Sequence, residues 1–339
     1  THMVVDKKFA KAAALFHKLM SEKLTSETSD IFLDALSEMI DEPLSLERRA
    51  VGARRAHDMT RTGVAHQVVS PMPELLSYWL HADDALALTR FINDELAALV
   101  QAWPQHFTAL GAVPLQNVDL AVRELERLVR ELGLAGVELG SNIDGKPVGH
   151  PDFEPFFSAA EALGAAVFVH ALRPCGMDRL VGPPLLEQVL AFPGEVGLAA
   201  ASFMTSGVLT RHPRLRLAFS HGGGALPMAL PRMQHAWEHM TPVHQCMAQA
   251  PRELARRLFV DNLVYDRSAI GYLMDIYGPT QVMAGSDYPF AIMERDPALR
   301  INGLGLVSSR RKWLIELIRG VREGHKLRRI KVVADLAQW

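Results

Sequence analysis

The chain has 339 residues, 49% of them apolar and 22% charged, with a formal net charge of −2 and two cysteines, Cys175 and Cys246. This composition excludes global disorder, and the near-neutral charge excludes a general electrostatic pull toward nucleic acid or a membrane surface. Two cysteines argue against a disulfide framework and make a reducing cytoplasm the expected location. No apolar run approaches the roughly 18 residues of a membrane span, and none reads as a signal peptide.

The length suits one large α/β barrel or two ordinary domains. The first sixty residues read as helical and irregular, with an amphipathic helix expected over 9–20. Short apolar runs then recur at 64–69, 107–113, 136–139, 166–170, 215–220, 258–260 and 281–284. Helical patterns lie between most of them, at 85–103, 118–132, 155–163, 228–239 and 268–277. Strand alternating with helix marks βαβ units and a parallel sheet. The seven strands are one short of a closed eight-stranded α/β barrel, and the missing one is expected ahead of the first, so that the first strand is incomplete at the N-terminus. Residues 1–301 are read as this barrel and 302–339 as a separate tail. The tail is basic over 310–331 and spaces Trp313, Leu314, Leu317, Ile318 and Val321 as an amphipathic helix. Packing on the barrel or on a neighbouring subunit is its expected role, ahead of contact with nucleic acid or an anionic membrane.

Three strand ends carry metal-ligand chemistry. The run at 166–170 ends on His170, the run at 215–220 leads into His221-Gly222-Gly223-Gly224, and the run at 281–284 leads into Gly285-Ser286-Asp287. Catalytic groups gather at the carboxyl ends of parallel strands, where loops are free to carry polar side chains. Each residue alone has a plainer reading, since a histidine in an apolar strand is commonly a hydrogen-bonded core residue. A carboxylate directly after a buried strand is costly unless paired or metallated, and the strand ends of one barrel converge on one mouth. Imidazole and carboxylate suit Zn²⁺ or a similar divalent ion that keeps one open position for water.

His170 and Asp287 supply two ligands. The candidate third is His2, in Thr1-His2-Met3, as the remnant of a His-x-His pair on the first strand; the competing reading is a His-Met scar of cloning. Glu138, in the run at 136–139, reads as a ligand to a second ion or as a buried hydrogen-bonded acid near the site. Arg173 lies near the mouth and is the candidate for binding an anionic substrate, against the plainer reading of a surface salt bridge. His150, His212, His235, His239 and His244 fall in loops or on helices and read as surface or interface residues.

The order Phe168-Val169-His170, Ser220-His221-Gly222-Gly223-Gly224 and Gly285-Ser286-Asp287-Tyr288-Pro289-Phe290 resembles the amidohydrolase superfamily. With Ala112-Val113-Pro114-Leu115-Gln116 and Pro213-Arg214-Leu215, the resemblance is to the amidohydrolase 2 type and the aminocarboxymuconate semialdehyde decarboxylase branch, and it spans about residues 57–290. It implies a distorted (β/α)8 barrel with one divalent metal, usually zinc, held by His170, Asp287 and the first-strand His pair. It places His221 beside the metal as an acid, a base or a substrate-orienting group. It also implies a homodimer, for which residues 228–247, with Trp237 among several Met and His, are suited as the interface. The chain departs from the pattern in its incomplete His-x-His. It departs again at His170-Ala171-Leu172-Arg173-Pro174, where the branch has His-Pro-Trp-Asp-Met.

The expected function is metal-dependent, non-oxidative decarboxylation of an unsaturated or aromatic carboxylic acid, with His221 and Asp287 moving the proton. The alternatives are a hydrolase or hydratase using a metal-bound hydroxide, and a metal-poor barrel kept for binding or assembly. The expected partners are a small carboxylic acid substrate and a second copy of the chain, with neither nucleic acid nor membrane.

Overall fold

A computed structural model of the chain describes residues 44–183, 185–297, 300 and 330–336. The helix expected over 9–20, the candidate ligand His2 and the tail up to residue 329 lie outside these residues.

Each of the seven apolar runs becomes a strand, and three further strands join them. In chain order these are β1 (Val64–Pro71), β2 (Phe107–Gly111), β3 (Gly136–Gly140), β4 (Asn142–Ile143), β5 (Lys146–Pro147), β6 (Ala166–His170), β7 (Arg216–Phe219), β8 (Phe259–Asp261), β9 (Val282–Met283) and β10 (Ile330–Leu336). β4 and β5 form a small antiparallel hairpin, and the others make one parallel sheet in the order β10-β1-β2-β3-β6-β7-β8-β9. Ten α-helices among the described residues follow the same chain order: α1 (Leu44–Arg61), α2 (Ala82–Ala102), α3 (Val118–Arg130), α4 (Glu154–Leu163), α5 (Phe192–Thr205), α6 (Val208–Arg211), α7 (Leu226–His239), α8 (Thr241–Cys246), α9 (Pro251–Ala255) and α10 (Arg267–Tyr277). None of the described helices is long and apolar enough to cross a membrane.

Local chemistry sets the boundaries. The Asn117 side chain accepts the Leu120 N–H at 3.1 Å and starts α3, as Asp266 accepts the Ala269 N–H at 2.9 Å and starts α10. Gly164 ends α4 in the left-handed region, at φ 64°. Strands covered on both faces carry near-continuous apolar runs, and every residue of β3 is buried. The sheet curls into a barrel wall. Val68 of β1, Leu110 of β2, Phe168 of β6 and Met283 of β9 belong to one small apolar cluster, although β1 and β9 stand far apart in the sheet order. A much larger cluster lies between the sheet and its helices.

Besides the short β4, β5, α6, α8 and α9, two elements differ from the sequence reading. Helix α5 falls where no helix is expected, because Pro193, Gly194 and Gly197 interrupt its pattern. The place beside β1, reserved for a strand preceding it, is taken by β10, which follows every other element and runs parallel to β1 from Val64↔Ile330 to Pro71↔Leu336. Ile330 and Lys331, read as the end of the tail helix, thus open a strand.

Candidate active site

The loops after β6, β7 and β9 bring three side chains together. The ligand atoms of His170, His221 and Asp287 all lie within 4.8 Å of one another. His170 is the last residue of β6 and is buried. Its Nδ1 stands 2.9 Å from the Ala171 carbonyl oxygen. A carbonyl only accepts, so Nδ1 carries the proton and Nε2 presents a lone pair to an incoming ion.

His221 follows β7 at the head of a turn that only glycine could make. Gly222, Gly223 and Gly224 have φ of 65°, 76° and 60°, where a side chain is strained. They also have no room: a Cβ on Gly224 would collide with the Pro193 carbonyl, and one on Gly222 with Val264 and Leu273. The turn is thereby pressed onto the start of α5, where the Ala225 N–H donates to the Pro193 carbonyl at 2.8 Å. Phe192 of α5 lies nearly parallel to the His221 ring at 6.2 Å, and the His170 ring meets His221 edge-on at 4.9 Å. Burial, and secondly the proximity of His170, hold the His221 pKa well below the ordinary histidine value. The ring is therefore neutral at pH 7.

Asp287 is buried and sits at φ 55°, His221 at φ 53° and Arg173 at φ 42°. Non-glycine residues enter this region at a cost of about 1–3 kcal/mol, and such strain concentrates at functional sites. The loop carrying Asp287 is tied to α1, where the Tyr288 hydroxyl donates to Asp58 Oδ2 at 2.8 Å and the Arg55 guanidinium lies 4.9 Å over the Tyr288 ring.

The end of β8 supplies a group that sequence reasoning missed. Asp261 is almost fully buried, and its carboxylate accepts the backbone N–H groups of His221 at 3.0 Å, Gly222 at 2.8 Å and Leu263 at 3.0 Å. Burial pushes its pKa up to about 6 against the lowering effect of these bonds. Next to it, Asn262 Oδ1 accepts the Gly285 N–H at 2.9 Å. Two adjacent residues thus pin the His221 loop and the Asp287 loop to one strand end. The available signal was a fourth strand ending on an acid, Phe259-Val260-Asp261.

The remaining candidates are dispersed. Arg173 is exposed at the mouth, its guanidinium 3.3 Å from the centre of the Trp79 ring, which comes from the loop after β1. Glu138 is fully buried on β3, outside the group of three. Its charge raises the pKa of the buried Tyr78, a secondary effect beside burial itself.

Known proteins share this arrangement's fold and order. The chain is 36% identical over 252 residues to 2-amino-3-carboxymuconate-6-semialdehyde decarboxylase of Dictyostelium discoideum, covering 74% of this chain and 70% of that protein. Among solved structures, 5-carboxyvanillate decarboxylase LigW of Sphingomonas paucimobilis matches with a TM-score of 0.71 at 26% identity, over 77% of this chain and 79% of that one. The 5-carboxyvanillate decarboxylase of Novosphingobium aromaticivorans, complexed with manganese and 4-hydroxy-3-methoxy-5-nitrobenzoic acid, matches with a TM-score of 0.69 at 25% identity, over 77% and 76%. Residues 49–306 match the family model for amidohydrolase, and the chain belongs to that family.

Proposed function

We propose that the protein is a metal-dependent decarboxylase that removes CO₂ from an aromatic or unsaturated carboxylic acid without redox chemistry. The observation that carries this reading is the meeting of His170, His221 and Asp287 at the carboxyl ends of a parallel sheet, in a chain similar to several decarboxylases.

The donor set fits a divalent ion. An imidazole and a carboxylate suit Zn²⁺ or Mn²⁺, and the protonated Nδ1 of His170 already turns the opposite nitrogen outward. His170 and Asp287 would hold the ion, which when bound supplies a Lewis acid that polarises the oxygen groups of the substrate. Zinc is our choice, and manganese is bound by a similar decarboxylase. His221 holds the proton in our reading. Held neutral at rest by burial, it relays a proton from solvent to the carbon that bears the carboxylate. The C–C bond then breaks, its electron pair stays with the carbon skeleton, CO₂ leaves, and one proton is taken from solvent per turnover. Asp287 shares in that proton traffic. Arg173, stacked on Trp79 at the mouth, binds the anionic part of the substrate.

We further propose a cytoplasmic homodimer joined through residues 228–247, where Met228 and Met240 are exposed. Residues 1–301 are proposed as the catalytic unit and 302–339 as an added segment whose β10 joins the same sheet.

The test is direct. Purified protein reconstituted with Zn²⁺ or Mn²⁺ is screened with aromatic and muconate-type acids by ultraviolet absorbance, with CO₂ trapped. One CO₂ per substrate consumed is the expected result. Consumption without CO₂ would make the enzyme a hydrolase or hydratase, and no bound metal after reconstitution would overturn the reading.

A further inference from the structure

A second group of metal-ligating side chains lies outside the barrel mouth. His235, Glu238 and His239 on α7 are all exposed, and their ligand atoms lie within 4.8 Å of one another. We propose that they form a second divalent metal site, of the zinc class.

The helix builds the site. Residues four apart stand one above the other on the helix surface, so His235 and His239 share a face, their ring centres 4.4 Å apart. Glu238 borders the same face one residue before His239. The order His-x-x-Glu-His mirrors the His-Glu-x-x-His order by which zinc enzymes set two imidazoles on one helical face. Two further features favour a cation. His239 is the last residue of a 14-residue helix, where the unsatisfied carbonyls leave a partial negative charge. Glu238 is also held in place. Its Oε1 accepts from Gln234 Nε2 at 2.8 Å, and Gln234 Oε1 in turn accepts the Arg252 N–H at 3.2 Å. That leaves Oε2 for an ion and fixes the carboxylate in advance.

Two imidazoles and a carboxylate are the ligand set of three-coordinate zinc sites that leave a fourth position to water. The site sits on α7, within the segment proposed above to join two copies but away from the strand ends, so its ion is independent of the proposed catalysis. His235 and His239 are surface residues whose loss leaves the core intact.

The experiment is a zinc count. Wild-type protein, His235→Ala, His239→Ala and Asp287→Asn are dialysed to equilibrium against Zn²⁺, and bound zinc per chain is measured by elemental analysis. His235→Ala and His239→Ala are each expected to bind one Zn²⁺ fewer than wild type. Asp287→Asn is expected to keep the zinc that those variants lose, as read by adding His239→Ala to it. Titration of Asp287→Asn with Co²⁺ gives a second readout, a visible d–d absorption that disappears when His239→Ala is added. Equal zinc counts in wild type and His239→Ala would overturn the site. A loss of half an ion per chain would place the metal between two copies and overturn a site built by one helix.

Discussion

The Asp261 carboxylate accepts the backbone N–H of His221 at 3.0 Å, so the residue that ends β8 positions the main chain of the histidine proposed to move the proton. The same carboxylate takes the Gly222 and Leu263 N–H groups. Asp261→Ala leaves three buried donors without their acceptor, and each orphaned group costs about 1–3 kcal/mol. Chemical denaturation should therefore show a loss of several kcal/mol, and equal stability of the variant and wild type would refute this role.

His221 and Asp287 should respond differently to substitution. His221→Ala is expected to lower turnover by about 10²–10⁴-fold, the usual contribution of a general acid or base, with metal content kept. Asp287→Asn is expected to lose both turnover and the ion at the barrel mouth. Kinetics paired with elemental analysis checks the contrast; metal loss in His221→Ala would make that ring a ligand.

Arg173→Ala should raise KM for an anionic substrate roughly 10- to 100-fold, the scale of one lost charge-assisted hydrogen bond, with kcat little changed. Trp79→Ala should raise KM in the same direction, because the ring on which the guanidinium rests would be gone. A fall in kcat at constant KM would place Arg173 in the chemistry instead.

Two glycine substitutions should have opposite signs. Gly224→Ala forces a Cβ onto the Pro193 carbonyl at φ 60°, and the backbone strain alone is worth about 1–3 kcal/mol. Gly271→Ala, in the interior of α10 with nothing within 4 Å of its Cβ, should stabilise by roughly 0.5–1 kcal/mol. Thermal melts of the two variants would settle both.

Glu154 predicts a pH effect far from the mouth. Hydrogen bonding from Arg211, and after the opposing effect of burial from His212, lowers its pKa below the ordinary 4.5. The folded chain thus holds this proton less readily than the unfolded one. The stabilisation is present above about pH 4.5 and is lost as pH falls through the folded value. Glu154→Gln should remove up to about 1 kcal/mol at pH 7 and bring the variant and wild-type curves together in acid. Curves that stay parallel from pH 7 to pH 3 would contradict the assignment.

The barrel strands were legible because both faces of a parallel sheet are covered, which writes each strand as an apolar run with its polar residue at the end. His170, His221 and Asp287 stood out on that ground. Asp261 did not, since its task is to hold backbone N–H groups and leaves no spacing pattern with His221, forty residues away along the chain. Helix α5 escaped because Ala and Gly line several of its sides and leave no polar stripe. β10 was hidden by charge: Ile330, Val332 and Val333 favour a strand, but they follow a run of lysine and arginine that reads as an amphipathic helix. His235 and His239 were visible but bland, because a surface histidine pair gains meaning only when the helix fixes their distance.

The parallel ladder between β1 and β10 also orders events in time. β1 is the first strand of the described chain to leave a ribosome and β10 the last, so among the described residues the outer edge of β1 has no strand to pair with until β10 is made. An open strand edge is a template for pairing with other chains, and closing a contact across so long a loop is slow. Folding of this sheet therefore waits for Ile330–Leu336 to be made, and a chain stopped short of Ile330 would lack the strand that covers this edge of β1.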